Sequence, residues 1–224
     1  MINKILNLGD SALYCDFGQE VNKEINSEVI KYFNSVRKSN IEGVTNITPS
    51  YNKLIISFNL SITNFKKIKK EIEILNIDYE NKIFNKEIQI PVCCENTFSL
   101  DIKRLEKKLN LKREQILEKF FNKKYFCYMT GFIAGMPFLG DLEENMRANR
   151  LETPRIKVPK GSIGLTEQFT NIYTFESPGG WNIIGNTPLN VFDCLNEKEP
   201  NLINPGDTVI FNEITSSQHK NYHE

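Results

Sequence analysis

The sequence predicts an α+β protein in two parts, a unit of alternating strands and helices followed by a small β-barrel. Three observations carry this prediction. Residues 1–90 switch repeatedly between a two-residue and a 3.6-residue apolar period. Residues 101–124 form a lysine-rich stretch with helical spacing. Thirteen of the 21 Gly and Pro residues then fall between Gly131 and Pro188, where helices cannot persist. At roughly 150 residues per domain, 224 residues accommodate one large or two small units, each able to bury a core.

Taken in order, Leu13, Cys15 and Phe17 alternate with Tyr14 and Asp16, the pattern of a strand with one buried face. Val21, Ile25, Val29, Phe33 and Val36 then make an apolar stripe on a helix of about 18 residues, closed by Ser39 and Asn40. Val44 to Thr48 and Leu54 to Phe58 read as strands of a hairpin turning at residues 50–53. Phe65, Ile68, Ile72 and Leu75 mark a second helix with lysines on its wet face, and Ile88, Ile90 and Val92 supply a last strand. The order β-α-β-β-α-β is that of a ferredoxin-like unit, giving domains 1–88 and 89–224 with the dividing line near Lys86 to Pro91. In the second part, Leu105, Leu109, Ile116, Leu117, Phe120 and Phe121 face inward on a helical pair. Short runs at 156–158, 162–165, 172–175, 181–184 and 208–211 are the strands of a barrel. Asn occurs 27 times, so it is expected to be weak punctuation for helix ends and turns.

Charge and composition exclude several functions. Lys and Arg (28) balance Asp and Glu (28), so no long-range basic field calls for nucleic acid or an anionic membrane. The apolar runs are too short to span a bilayer and no leader segment is recognisable, which places the chain in the cytoplasm. The two histidines, His219 and His223, sit in the last six residues, where chains fray, so histidine catalysis and histidine-rich metal sites are not expected. Five cysteines without C-x-x-C spacing read as reduced thiols, and no metal is expected. The balance hides structure, because residues 101–130 carry a net +5 and 131–224 a net −5. The basic helical segment is either a solvated face or a docking surface for an acidic partner.

Three segments could carry chemistry. Gly131 to Gly140 is a glycine and aromatic loop that could cradle an anion, although it lacks the ending of a P-loop. In Thr153 to Ser162, Arg155 and Lys157 are two apart and would project to one face of a strand, either gripping a carboxylate or phosphate or forming a surface pair beside a proline turn. Glu176-Ser177-Pro178-Gly179-Gly180-Trp181 holds the single Trp. Its glycines could present backbone N–H groups to an oxyanion, or simply turn a hairpin with Trp181 plugging the barrel.

The order of these segments resembles a known family. Leu8 to Leu13, Phe17-Gly18, Ile90 to Cys93, Gly131-Phe132, Gly140, Thr153-Pro154-Arg155, Val158-Pro159, Gly161 to Gly164, Ser177 to Trp181, Ile184-Gly185 and Thr187-Pro188 are similar to the family that contains the B subunit of 5-oxoprolinase, the Kip inhibitor of a histidine kinase and the first subunit of allophanate hydrolase. That resemblance implies a ferredoxin-like domain followed by a cyclophilin-like barrel. It implies a non-autonomous subunit of an ATP-dependent 5-oxoprolinase, which opens 5-oxo-L-proline to L-glutamate with a companion C subunit and an activating A subunit. ATP would be used by the complex, with no cofactor held by this chain. Glu176 would be the acid/base, Ser177 a nucleophile or hydrogen-bond donor, and Arg155 a charge anchor. Lys157, Gly179, Gly180, Trp181, Thr153 and Ser162 would contact substrate. The alternatives are a histidine-kinase inhibitor docking through Phe132, Met136 and Phe138, and a urea- or allophanate-processing carboxyltransferase subunit. Phe120, Phe169 and Asn186 stand where relatives commonly have His, Gln and Arg, and Glu167 stands in place of a usual Gly.

Overall fold

The computed structural model describes residues 2–77 and 86–222, so His223 lies outside the described residues. The chain divides into two compact units, Met1–Phe84 and Asn85–Glu224.

In the first unit, β1 (Lys4–Leu8) and β2 (Ala12–Asp16) form a hairpin, followed by α1 (Lys23–Ser39), β3 (Val44–Pro49), β4 (Lys53–Phe58) and α2 (Phe65–Glu73). The four strands lie in the order β1-β2-β4-β3, antiparallel throughout. Strand alternation turns Leu13, Cys15, Leu54, Ile56 and Phe58 to one face, where they pack on Val29 and Val36 of α1 and Ile68 and Ile72 of α2. The hairpin at residues 50–53 forms as expected, closed by Ser50 N–H donating to the Lys53 carbonyl at 2.8 Å.

Two expectations are corrected here. The strand holding Ile88, Ile90 and Val92 does not complete this sheet; it pairs with barrel strands. Its place beside β2 is taken by β1, so the ferredoxin-like order is filled from the N-terminal side of the unit. Asn is also effective punctuation. The Asn22 and Asn64 side chains accept from Ile25 N–H (2.9 Å) and Lys67 N–H (3.1 Å) at two helix starts. Asn40 ends α1 in the left-handed region with φ 46°, a conformation Asn tolerates better than most residues.

The second unit begins with β5 (Glu87–Cys93), then α3 (Ile102–Leu109), α4 (Arg113–Phe121), β6 (Lys124–Thr130) and β7 (Pro137–Gly140). β8 (Arg155–Val158), β9 (Ser162–Thr166), β10 (Phe169–Ile172), β11 (Ser177–Gly179), β12 (Asn182–Asn186), β13 (Thr208–Ile214) and α5 (Ser216–Lys220) follow. Seven strands close a barrel in the order β10-β7-β6-β13-β5-β12-β9, while β8 and β11 form a separate two-stranded ribbon. β5 and β13 run parallel from Glu87↔Thr208 to Cys93↔Ile214, and the other neighbours are antiparallel. The strand expected over residues 172–175 lies earlier, because β10 ends at Ile172. Ile90, Val92, Leu139, Ile163, Leu165, Ile184 and Val209 fill the barrel, and Leu105, Ile116 and Phe120 add the helical pair to the same core.

Phe120 fits its place by packing. It is fully buried, stacked on Phe211 at 4.7 Å between ring centres, and it lies 5.5 Å from Tyr125, whose hydroxyl donates to the Phe120 carbonyl at 2.9 Å. An apolar ring suits this box, and an unpaired imidazole would be costly there. Glu167 is less comfortable. It sits in the two-residue turn between β9 and β10 with φ 46°, a region that glycine adopts freely and glutamate does not. Glu167→Gly is expected to stabilise the barrel unit by about 1 kcal/mol, read as a raised midpoint in denaturant titration. A lowered midpoint would show that the Glu167 side chain, not its backbone, decides stability at this turn.

Candidate functional site

The ribbon of β8 and β11 carries Arg155, Lys157, Ser177 and Gly179 of the expected site residues, with Glu176 and Gly180 flanking β11. Its register pairs Ser177 with Val158 and Gly179 with Arg155, with a bulge between. Arg155, Lys157, Glu176, Ser177 and Gly179 are therefore neighbours. The cationic pair, however, is divided between two acids. Arg155 Nη2 donates to Asp101 Oδ1 at 2.6 Å, and Lys157 Nζ lies 2.8 Å from Glu176 Oε1. The two ion pairs differ in environment. Asp101 is buried, whereas the Lys157 and Glu176 side chains are 74% and 55% exposed. The Glu176 carboxylate holds the Lys157 ammonium above its ordinary range, and solvent screens their attraction.

Asp101, which no sequence motif marks, organises the inner side of this region. It stands immediately before α3, but its side chain does not cap that helix. Instead Oδ2 accepts from Ile183 N–H at 2.7 Å while Oδ1 accepts from Arg155, and Asp101 N–H donates to the Ile183 carbonyl at 2.9 Å. One buried carboxylate thus ties α3, β12 and β8 together. Arg104, one turn along, donates to Asn182 Oδ1 and to the Arg150 carbonyl at 3.3 Å, and Asn182 Nδ2 returns to the carbonyls of Asn149 (3.1 Å) and Leu165 (3.0 Å). Trp181 is buried against Phe138, with ring centres 5.6 Å apart, while Arg150 stands over its ring at 6.0 Å. Trp181 thus packs on Phe138, apart from the side chains that fill the barrel. Gly179 is packed so closely on Tyr173 that a Cβ there would overlap the Tyr173 hydroxyl, a physical reason for glycine at that position.

Two polar atoms at the ribbon have no hydrogen-bond partner among the described residues. Arg155 Nη1 and Ser177 Oγ are both buried and unbonded. Buried donors are normally satisfied, so these two stand ready for a group that the isolated chain does not supply. None of the hydrogen bonds among the described residues links Ser177 Oγ to a base, so the nucleophile role lacks activation from within the chain. Thr153 is exposed in the preceding loop, and Ser162 is buried at the start of β9 opposite Asn186, away from the ribbon's register.

The glycine loop does not leave all of its amides free for an anion. Gly131 N–H donates to the Met136 carbonyl (3.0 Å) and Met136 N–H to the Ile133 carbonyl (3.1 Å), which spends amides on the loop's own turn. Nor does it form the apolar patch expected for kinase docking. Phe132 is 73% exposed, but Met136 is buried with Val158, Tyr173 and Ile183, and Phe138 packs on Trp181.

His219 corrects the expectation of a frayed terminus. α5 begins with a capping box at Thr215 and Gln218, and His219 Nε2 lies 2.8 Å from Asn186 Oδ1 with its ring 4.5 Å from Phe98. Asn186 also donates to the Lys160 carbonyl at 2.8 Å. Burial holds His219 below the ordinary 6.5, so the fold favours neutral imidazole. As pH falls below 6.5 the unfolded chain binds this proton first, and stability is lost on the way down through the folded value. Glu95, held below its ordinary 4.5 by Ser216 N–H, titrates in a lower window. Melts of wild type and His219→Gln across pH 7.5 to 5 are expected to show a fall in wild type that the variant lacks. Parallel curves would remove His219 as its source. The cysteines behave as read: all five are free, and burial pushes the Cys15 thiol up to about 12, away from thiolate chemistry.

A mixed seven-stranded barrel, preceded along the chain by a four-stranded sheet with two helices and bearing this ribbon, places the protein in a defined class. It belongs to the carboxyltransferase domain family, subdomains C and D, whose model matches residues 3–203. Within that class it is similar end to end to the B subunit of 5-oxoprolinase. It is 30% identical over 233 residues to that of Bacillus subtilis (strain 168), covering 99% of this chain and 97% of the relative. It is 31% identical over 208 residues to that of Haemophilus influenzae, covering 92% and 96%. The crystal structure of TTHA0988 superposes with a TM-score of 0.82 at 26% identity over 92% of this chain, which spans 40% of that longer one. No helix among the described residues is long and apolar enough to cross a membrane.

Proposed function

We propose that the chain acts as the B subunit of an ATP-dependent 5-oxoprolinase, cleaving the lactam C–N bond of 5-oxo-L-proline to give L-glutamate with companion C and A subunits. The observation that carries this reading is the end-to-end match to the Bacillus subtilis B subunit, which leaves no large part of either chain unmatched. The ribbon supports it chemically. Ring opening needs an anchor for the substrate carboxylate, a proton for the departing nitrogen and donors for charge gathering on the carbonyl oxygen.

Arg155 Nη1 is the free donor for the carboxylate, with its guanidinium already oriented by Asp101. Glu176 moves the proton, with its carboxylate positioned 2.8 Å from the Lys157 ammonium. Ser177 Oγ serves as a hydrogen-bond donor, and the backbone at Gly179 and Gly180 lies beside it on the same ribbon. Trp181 packs next to the ribbon against Phe138; Thr153 and Ser162 have the weaker geometric claim. The glycine loop's committed amides support assigning ATP to a partner.

The purified chain with 5-oxoproline and ATP is expected to release no glutamate, and addition of the C and A subunits to restore release. Robust glutamate production by the lone chain would overturn this division of labour. A complex that assembles but leaves 5-oxoproline intact would overturn the substrate.

A further inference from the structure

We infer that the exposed face of α3 is the docking surface for an acidic patch on a partner protein, which, on the subunit reading above, is the companion C subunit. Lys103, Arg104, Lys107 and Lys108 line one cavity of about 520 Å³ on this face. They occupy positions i, i+1, i+4 and i+5 of an eight-residue helix, so Lys103 opposes Lys107 and Arg104 opposes Lys108 one turn apart. Like charges so placed destabilise an isolated helix. The helix dipole accounts for Lys107 and Lys108 in the last turn, but it disfavours cations in the first turn, where α3 carries no acid at all.

Among the described residues no carboxylate pairs with these cations. Two lysines elsewhere in the basic segment are paired, Lys119 with Glu143 at 2.9 Å and Lys124 with Glu87 at 2.6 Å. The one acid within α3, Glu106, is occupied by Arg113 N–H at 3.0 Å. Arg104 is held by Asn182 and main-chain carbonyls, all neutral. Among the described residues Lys103, Lys107 and Lys108 make no ion pair, and all three are exposed.

The occupant follows from the geometry. The cations are spread along the helix, whereas a free phosphate needs donors that converge on it. A second copy of this chain would bring its acidic surplus, residues 131–224, from the same unit as the basic face. That head-to-tail contact would close a ring only if the rotation allowed it and otherwise would grow into filaments. A different chain with an acidic face satisfies all three lysines at once and steers association.

The test measures binding of purified C subunit to wild type, to Lys103→Glu/Lys107→Glu/Lys108→Glu, and to a control, Lys66→Glu/Lys67→Glu/Lys70→Glu, with the same charge change on exposed α2 positions. The α3 variant is expected to bind at least about tenfold more weakly at low salt and to lose most of the salt dependence, with an unchanged melting temperature and an unchanged control. Equal affinity and salt slope for wild type and α3 variant would overturn the surface and leave the subunit reading intact. If wild type does not bind the C subunit, the subunit reading fails and the surface is decided by a glutamate-rich peptide and inorganic tripolyphosphate. Salt-sensitive peptide binding lost in the α3 variant supports the surface. Binding of tripolyphosphate alone, or of neither probe, overturns it.

Discussion

Glu176→Gln is expected to lower glutamate release by the reconstituted complex by about 100-fold or more, with the melting temperature of the chain unchanged. Both halves follow from the geometry of the pair with Lys157. The carboxylate is exposed and screened, so its charge adds little to the fold. A proton-transfer group contributes roughly 10²- to 10⁴-fold to rate, and the amide of Gln occupies the same volume without accepting a proton. Steady-state assays with the C and A subunits in excess check it. Retention of more than half the activity would move the acid/base role off this chain or onto another residue.

Asp101→Ala is expected to have the largest effect on stability, a loss of about 3 kcal/mol. The substitution removes the acceptor of Ile183 N–H and the counter-charge of Arg155 together, leaving a buried amide and a largely buried guanidinium unsatisfied. For a unit of this size that corresponds to a fall of roughly 10 °C in melting temperature. Asp101→Asn keeps an acceptor without the charge and is expected to fall between wild type and Ala. A loss below about 1 kcal/mol in Asp101→Ala would mean that water replaces the carboxylate, and that Arg155 is oriented by other groups.

The contrast between these two acids explains what was legible in the sequence. Glu176 lies beside Ser-Pro-Gly-Gly-Trp, a composition that marks a turn and draws attention to its neighbours. Asp101 opens a lysine-rich helix, where a lone acid reads as part of a solvated face. Its importance comes from β12 crossing behind it, a contact 82 residues away in sequence. The same limit governs the fold. The apolar stripe Ile25, Val29, Phe33 and Val36 sets α1 locally, and its helix forms where the spacing places it. Ile88, Ile90 and Val92 equally mark a strand, but alternation carries no record of the partner, and the pairing with β13 moved it to the other unit. β1 escapes notice because it is a short, mostly exposed edge strand. His219 reads as frayed from its position near the end of the chain, whereas Asn186 and the ring of Phe98 hold it in place.

The parallel pairing of β5 with β13 also sets a clock. Glu87 meets Thr208 across 121 residues, so during synthesis β5 has no β13 to pair with until nearly the whole barrel unit has left the ribosome. At 5–20 residues per second that interval is on the order of ten seconds, long compared with the time a hairpin or helix needs to form. Through that wait, Ile90 and Val92 belong to a strand with an open edge, the condition under which nascent chains associate wrongly. The four-stranded sheet of the first unit, by contrast, closes among strands that all lie within residues 4–58 and can form first. Slowing translation between residues 94 and 207 should therefore lower the yield of folded barrel while sparing the unit already made.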